Sequence, residues 1–168
     1  MYLYSCFQDS YAEIKRKMAL KGIQLEFIQA PILTEEQMKQ LQGTDQCMVA
    51  IDDSTTSTTM SKELAQMFTV ARHYNISIVC FWHLIFAATQ PSRIMSQNTG
   101  YYILMSSAKM HQQVGILGTQ LGIRNCLESA YSKEMEKPYS YILVDLVTNR
   151  KDLRVRTDIL NEHQVVFM

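Results

Sequence analysis

Gln46-Cys47-Met48-Val49-Ala50-Ile51-Asp52-Asp53 is the stretch that decides the fold class. Its apolar run shows no alternation with polar residues, which predicts a strand covered on both faces, as in a parallel sheet. It stops abruptly on two adjacent carboxylates. Similar runs lie on either side of it. Ile76-Ser77-Ile78-Val79-Cys80-Phe81-Trp82 predicts a second buried strand, Tyr101-Tyr102-Ile103-Leu104-Met105 a third, and residues 139–145 a fourth. Residues 2–6 and 24–28 predict shorter strands, and Arg154-Val155-Arg156 a last extended piece.

Helical patterns fill the gaps between these runs. Tyr11, Ile14 and Met18 fall at helical spacing in residues 8–21, and Gly22 stands where a glycine cap belongs. Thr34-Glu35-Glu36-Gln37 has capping-box spacing. Leu64, Met67, Phe68 and Ala71 form a stripe over residues 60–74, with Asn75 at the exit, and Gln90-Pro91 opens another helix. Val114, Leu117 and Leu121 mark a helix ending at Gly122, and a further helix is predicted over residues 124–135. Strands alternating with helices imply crossover connections and a mainly parallel sheet, so the class is α/β, in one domain spanning residues 1–168.

The chain has 168 residues, 47% hydrophobic and 19% charged, a globular composition. Sixteen basic residues balance sixteen acidic ones, so no global basic field draws nucleic acid, although a local patch is compatible with that balance. No apolar run reaches the ~18 residues of a membrane span, and residues 1–9 lack the features of a signal peptide. Cys6, Cys47, Cys80 and Cys126 are scattered without a CxxC pair, which predicts reduced, buried thiols and a cytoplasmic or nuclear setting rather than a secreted one. His73, His83, His111 and His163 show no zinc spacing.

The chemistry-bearing candidates lie at strand ends. Carboxylates at the carboxyl end of a parallel strand sit where α/β sheets bind ligands. In nucleotide hydrolases the first acid of such a pair orients Mg²⁺ and the second polarises the attacking water; Asp52 and Asp53 also suit a simple strand end entering a polar loop. His83 follows the neighbouring predicted strand, where a polar side chain can contact a γ-phosphate or water, or can simply pack. Arg93 can act as an arginine finger or as a solvated helix residue. Arg72-His73 and Arg154/Arg156 are isolated basic pairs that could touch DNA phosphates.

Taken in order, these pieces resemble the packaging ATPases of the HerA/FtsK branch of P-loop NTPases, of the kind found in poxviruses, giant viruses and Maverick (Polinton) transposons. The resemblance runs through Tyr2–Tyr11 (YLYSCFQDSY), Met48–Asp53 (MVAIDD), Met67–Ile78 (MFTVARHYNISI), Phe81–Phe86 (FWHLIF), Ser92–Asn98 (SRIMSQN), Tyr101–Met105, Pro138–Asp145 (PYSYILVD) and Leu153–Thr157 (LRVRT), nearly the whole chain. It implies a P-loop NTPase-like three-layer fold, ATP and Mg²⁺ as cofactors, double-stranded DNA and capsid components as partners, and a homo-oligomeric ring in the complete protein. By the same resemblance Asp52 is the Walker B acid that directs Mg²⁺ through water. Asp53 is the water-activating acid, His83 stands in place of a sensor glutamine, and Arg93 falls in the arginine-finger region.

One element of the family is missing. No GxxxxGK followed by Ser or Thr occurs in the sequence. The family carries that loop on a strand and helix preceding the segment that matches Tyr2-Leu3-Tyr4, so the resemblance implies a domain without its N-terminal P-loop strand and helix. The backbone N–H cradle and the phosphate-binding lysine go with it. In this fold type the P-loop strand lies between the strands matching residues 76–82 and 101–105, so each of these is expected to expose an edge. The expected function is an incomplete ATPase domain with little or no activity alone. The alternatives are a non-enzymatic module binding DNA or a capsid protein, and a gene fragment without activity.

Overall fold

The computed structural model describes residues 1–4, 9–30, 32–42, 47–52, 62–82, 84–86, 89–107, 109–160 and 164–168. The chain divides into two compact units, Met1–Asn98 and Thr99–Met168. No helix among the described residues is long and apolar enough to cross a membrane.

The first unit is built on a four-stranded parallel sheet. Its strands are β1 (Tyr2–Tyr4), β2 (Phe27–Gln29), β3 (Cys47–Ile51) and β4 (Ile76–Cys80), in the order β2-β1-β3-β4. β3 is thus internal and β4 is an edge. Tyr2 pairs with Ala50 and Leu3 with Ile51, while Cys47 to Ile51 pair in step with Ile76 to Cys80. The helices are α1 (Ser10–Leu20), α2 (Glu35–Leu41), α3 (Lys62–Val70) and α4 (Gln90–Gln97).

Local chemistry sets the helix ends. The reciprocal capping box is formed, with Gln37 N–H donating to Thr34 Oγ1 at 3.3 Å and Thr34 N–H to Gln37 Oε1 at 2.9 Å. α4 begins after Thr89, whose hydroxyl accepts from Ser92 N–H at 3.4 Å, with Pro91 in its first turn. Asn75, at φ 57°, ends the short 3₁₀ turn that follows α3 and feeds β4.

The two faces of this sheet differ. Leu3, Val49, Ile51 and Ile76 point to one side and bury against Met38 of α2, Leu64, Ala65 and Met67 of α3, and Met95 of α4. On the other side α1 lays Tyr11 on Phe27 at 4.8 Å and edge-on to Tyr2 at 5.3 Å. Helices therefore flank both faces, but the second face is open along β3 and β4: Met48 is 57% exposed and Phe81 50%. The unbroken apolar run of β3 predicts burial on both faces; the structure buries Val49 and Ile51 and leaves Met48 in solvent. The run was apolar enough for two covers, and the described residues supply one.

The second unit corrects the expectation of a mainly parallel sheet. Its strands β5 (Tyr101–Met105), β6 (Tyr141–Asp145), β7 (Val155–Thr157) and β8 (Val165–Phe167) form a separate sheet in the order β5-β6-β7-β8, with every pairing antiparallel. The reason is the connection. Between β5 and β6 the chain makes two helices, α5 (His111–Leu121) and α6 (Arg124–Glu134). One helix returns the chain to the end where a parallel strand starts, whereas a helical hairpin goes out and back, so the next strand runs antiparallel. Gly122, at φ 69°, caps α5 and makes the tight reversal. Gly118 lies so close to α6 that an added Cβ would come within 2.7 Å of the Arg124 Cα. Leu127, Ala130 and Tyr131 of α6 are buried, as are Leu104, Ile142, Val144 and Val155 of the sheet. The Tyr131 hydroxyl donates to the Met105 carbonyl at 3.0 Å and accepts from Ser107 N–H at 3.1 Å.

Candidate functional site

Asp52 leaves the carboxyl end of β3, and its N–H donates to the Leu3 carbonyl at 2.9 Å, which continues the ladder past the last strand residue. Parity then settles its direction. Ala50 and Asp52 share the face opposite Val49 and Ile51, and Tyr2, paired to Ala50, projects on that same face. The Tyr2 hydroxyl reaches Asp52 Oδ2 at 2.5 Å, and the Tyr11 hydroxyl, coming from α1, lies 3.4 Å from the same oxygen. A charge-assisted O–H···O⁻ bond at this distance is strong.

The environment fixes the protonation of Tyr2. Burial among Tyr11 and Phe27, then the hydrogen bond to Asp52, hold its phenol well above the usual tyrosine range. Tyr2 is therefore a permanent donor at neutral pH, and Asp52 is held by donors rather than left free. Among the described residues, no cluster of three or more His, Cys, Asp or Glu side chains could hold a metal ion.

Of the other candidates, Asp53 and His83 lie outside the described residues. Arg93 is on α4, with its N–H bonded to the Thr89 carbonyl at 3.3 Å and its side chain exposed. No hydrogen bond or ion pair joins it to Asp52. Cys47, Cys80 and Cys126 are free thiols, half-buried rather than fully buried; Cys6 lies outside the described residues. Burial raises the Cys80 thiol to about 12.

Tyr2 and Tyr11 are the site residues that sequence patterning missed. Tyr11 reads as one member of a helical apolar stripe, and Tyr2 as part of a strand. The signal that could have found them is parity: a parallel strand pairing Tyr2 with Ala50 must put its phenol on the side of Asp52. Comparison of the chain with family models, with curated proteins and with solved structures finds no match.

Proposed function

We propose that this chain is the Walker-B-bearing part of a P-loop ATPase of the DNA-packaging type. One observation supports it most: an acid pair, Asp52-Asp53, follows the internal strand of a parallel sheet whose next strand, β4, is an edge. This is the place at which α/β sheets bind phosphorylated ligands. In this proposal Asp52 orients hydrated Mg²⁺ and Tyr2 and Tyr11 hold its carboxylate in place. Asp53 polarises the attacking water, and His83 and Arg93 serve as sensor and finger. The complete protein would move double-stranded DNA toward a capsid as a homo-oligomeric ring.

The phosphate cradle is not in this sequence, so the chain alone turns over little or no ATP. The test is to read the coding sequence upstream of Met1 for an in-frame GxxxxGK followed by Ser or Thr, and to assay the extended chain. The extended chain is expected to hydrolyse ATP with Mg²⁺ and to lose that activity in Asp53→Asn. Absence of such a loop, or activity untouched by Asp53→Asn, overturns the proposal.

A further inference from the structure

The C-terminal end of α1 carries a surface that the ATPase proposal does not use. The inner side of this helix holds Tyr11, Ile14 and Met18, buried or half-buried. Four exposed cations, Lys15, Arg16, Lys17 and Lys21, fall within residues 14–25, a stretch without an acid in a chain that is neutral overall. Lys17 is engaged with Glu13 at 2.8 Å and adds no free charge. Lys15, Arg16 and Lys21 form no ion pair among the described residues. Glu26 is the acid that follows them in sequence, and Asp9 stands at the opposite end of α1. The free charge at this end is therefore predominantly positive.

Two aliphatic side chains stand in solvent among these cations. Leu20 is 79% exposed and Ile23 50%. Leu20 lies one helical turn beyond Arg16, on the side of α1 away from Tyr11, Ile14 and Met18. The backbone that carries them is fixed. Gly22, at φ 72°, ends the helix; its N–H donates to the Ala19 carbonyl and the Ile23 N–H to the Met18 carbonyl, both at 3.0 Å. This is the Schellman arrangement, in which the residue after the glycine commonly packs back on the helix. Ile23 stays half in water instead. Basic residues in a last turn complement the helix dipole, which accounts for Lys17 and Lys21. The dipole gives no reason for an exposed leucine and isoleucine between them and Arg16.

We propose that this helix end, through Lys15, Arg16 and Lys21 around Leu20 and Ile23, binds the surface of an anionic lipid bilayer. The cations take headgroup oxygens, and the two aliphatic side chains enter the boundary between headgroups and acyl chains. A helix end is convex, and a bilayer, unlike a protein partner, asks for no shape complementarity. A nucleic-acid backbone would satisfy the cations but offers Leu20 and Ile23 no apolar surface, and residues 12–25 hold no aromatic ring to stack a base. The site is independent of the ATPase proposal: it needs neither Asp52 nor nucleotide, and either can fail while the other stands.

The test is co-sedimentation of the full chain with vesicles of phosphatidylcholine alone and of phosphatidylcholine with equimolar phosphatidylserine, at low and at high salt, with a vesicle-free spin as the blank. The chain is expected to pellet with the anionic vesicles at low salt, to stay in solution with the neutral ones, and to be released by high salt. Leu20→Ser is expected to weaken binding roughly tenfold, and Arg16→Glu about fivefold or more. Lys62→Glu, the same charge change at the exposed start of α3, is the control and is expected to change little. Leu20 and Arg16 are both exposed, so both variants are expected to keep the fold, which circular dichroism checks. No pelleting at low salt, equal pelleting with neutral vesicles, or equal weakening by Lys62→Glu overturns the proposal. A silent Leu20→Ser overturns it too, and if Arg16→Glu then also abolishes binding to a labelled DNA duplex, the patch belongs to nucleic acid.

Discussion

The Tyr2 phenol donates to Asp52 Oδ2 at 2.5 Å across fifty residues of sequence, joining the first strand of the parallel sheet to the carboxyl end of its internal strand. Tyr2→Phe keeps the ring packed against Tyr11 and Phe27 and removes only the donor. The half-buried carboxylate then loses its strongest partner, and stability is expected to fall by about 1–2 kcal/mol in urea unfolding. Tyr11→Phe, at the longer 3.4 Å contact, is expected to cost less.

The same bond gives an alkaline signature. Tyr2 has its phenol raised in the folded chain by burial and by Asp52. The unfolded chain therefore releases this proton first, near pH ~10. The stability contributed is fully present below that pH and is lost as pH rises through and above it. Unfolding midpoints measured up the alkaline range are expected to drop more steeply in the native sequence than in Tyr2→Phe.

How far the fold was legible follows from which signals are local. The Thr34–Gln37 box, the stop at Gly122 and the left-handed Asn75 are all short-range, and the structure forms each where its residues stand. The place of Asp52, one residue past the end of β3, was legible for the same reason. The antiparallel pairing of Tyr101–Met105 with Tyr141–Asp145 was not, because strand–helix alternation does not say whether the helices between two strands cross over or double back. Tyr2 and Tyr11 were hidden for a related reason: their partner is fixed by sheet register, which only the assembled fold supplies.

Two glycines in α5 separate a rigid contact from a yielding one. A Cβ on Gly118 meets Arg124 backbone at 2.7 Å, and backbone has nowhere to move. A Cβ on Gly115 meets the carboxylate end of Glu128, which swings away at the cost of its exposed ion pair with Arg124. Gly118→Ala is expected to destabilise by about 1–3 kcal/mol, and Gly115→Ala by under about 1 kcal/mol. Thermal unfolding of the two variants side by side checks the order.

Glu134 is 2% exposed on α6, and both of its oxygens accept from Lys137, at 2.9 and 3.0 Å. The ammonium is the exposed member, and the bond to Glu134 raises its pKa. Lys137→Met leaves a buried carboxylate without its cation, whereas Glu134→Gln removes the charge that needed one. Lys137→Met is expected to be the more destabilising of the two near neutral pH. The stability linked to Lys137 is fully present below the ordinary lysine range and is lost as pH rises past it, since the lysine's value is raised on folding. Denaturation at neutral pH and again above that range distinguishes this from a purely structural helix effect.

The open side of the parallel sheet carries its own consequence. Met48 and Phe81 stand exposed on one face, and among the described residues β4 is an edge strand beside them. A neutral chain has no net repulsion to keep such surfaces apart. Self-association that grows with concentration is therefore expected in sedimentation over a broad dilution series. Met48→Lys places a charge on the open face without touching Val49 or Ile51 beneath it, and Phe81→Ser removes the second apolar side chain. The double variant is expected to remain monomeric over the same range with its unfolding midpoint little changed. Association that persists unchanged in the double variant would place the contact elsewhere on the molecule.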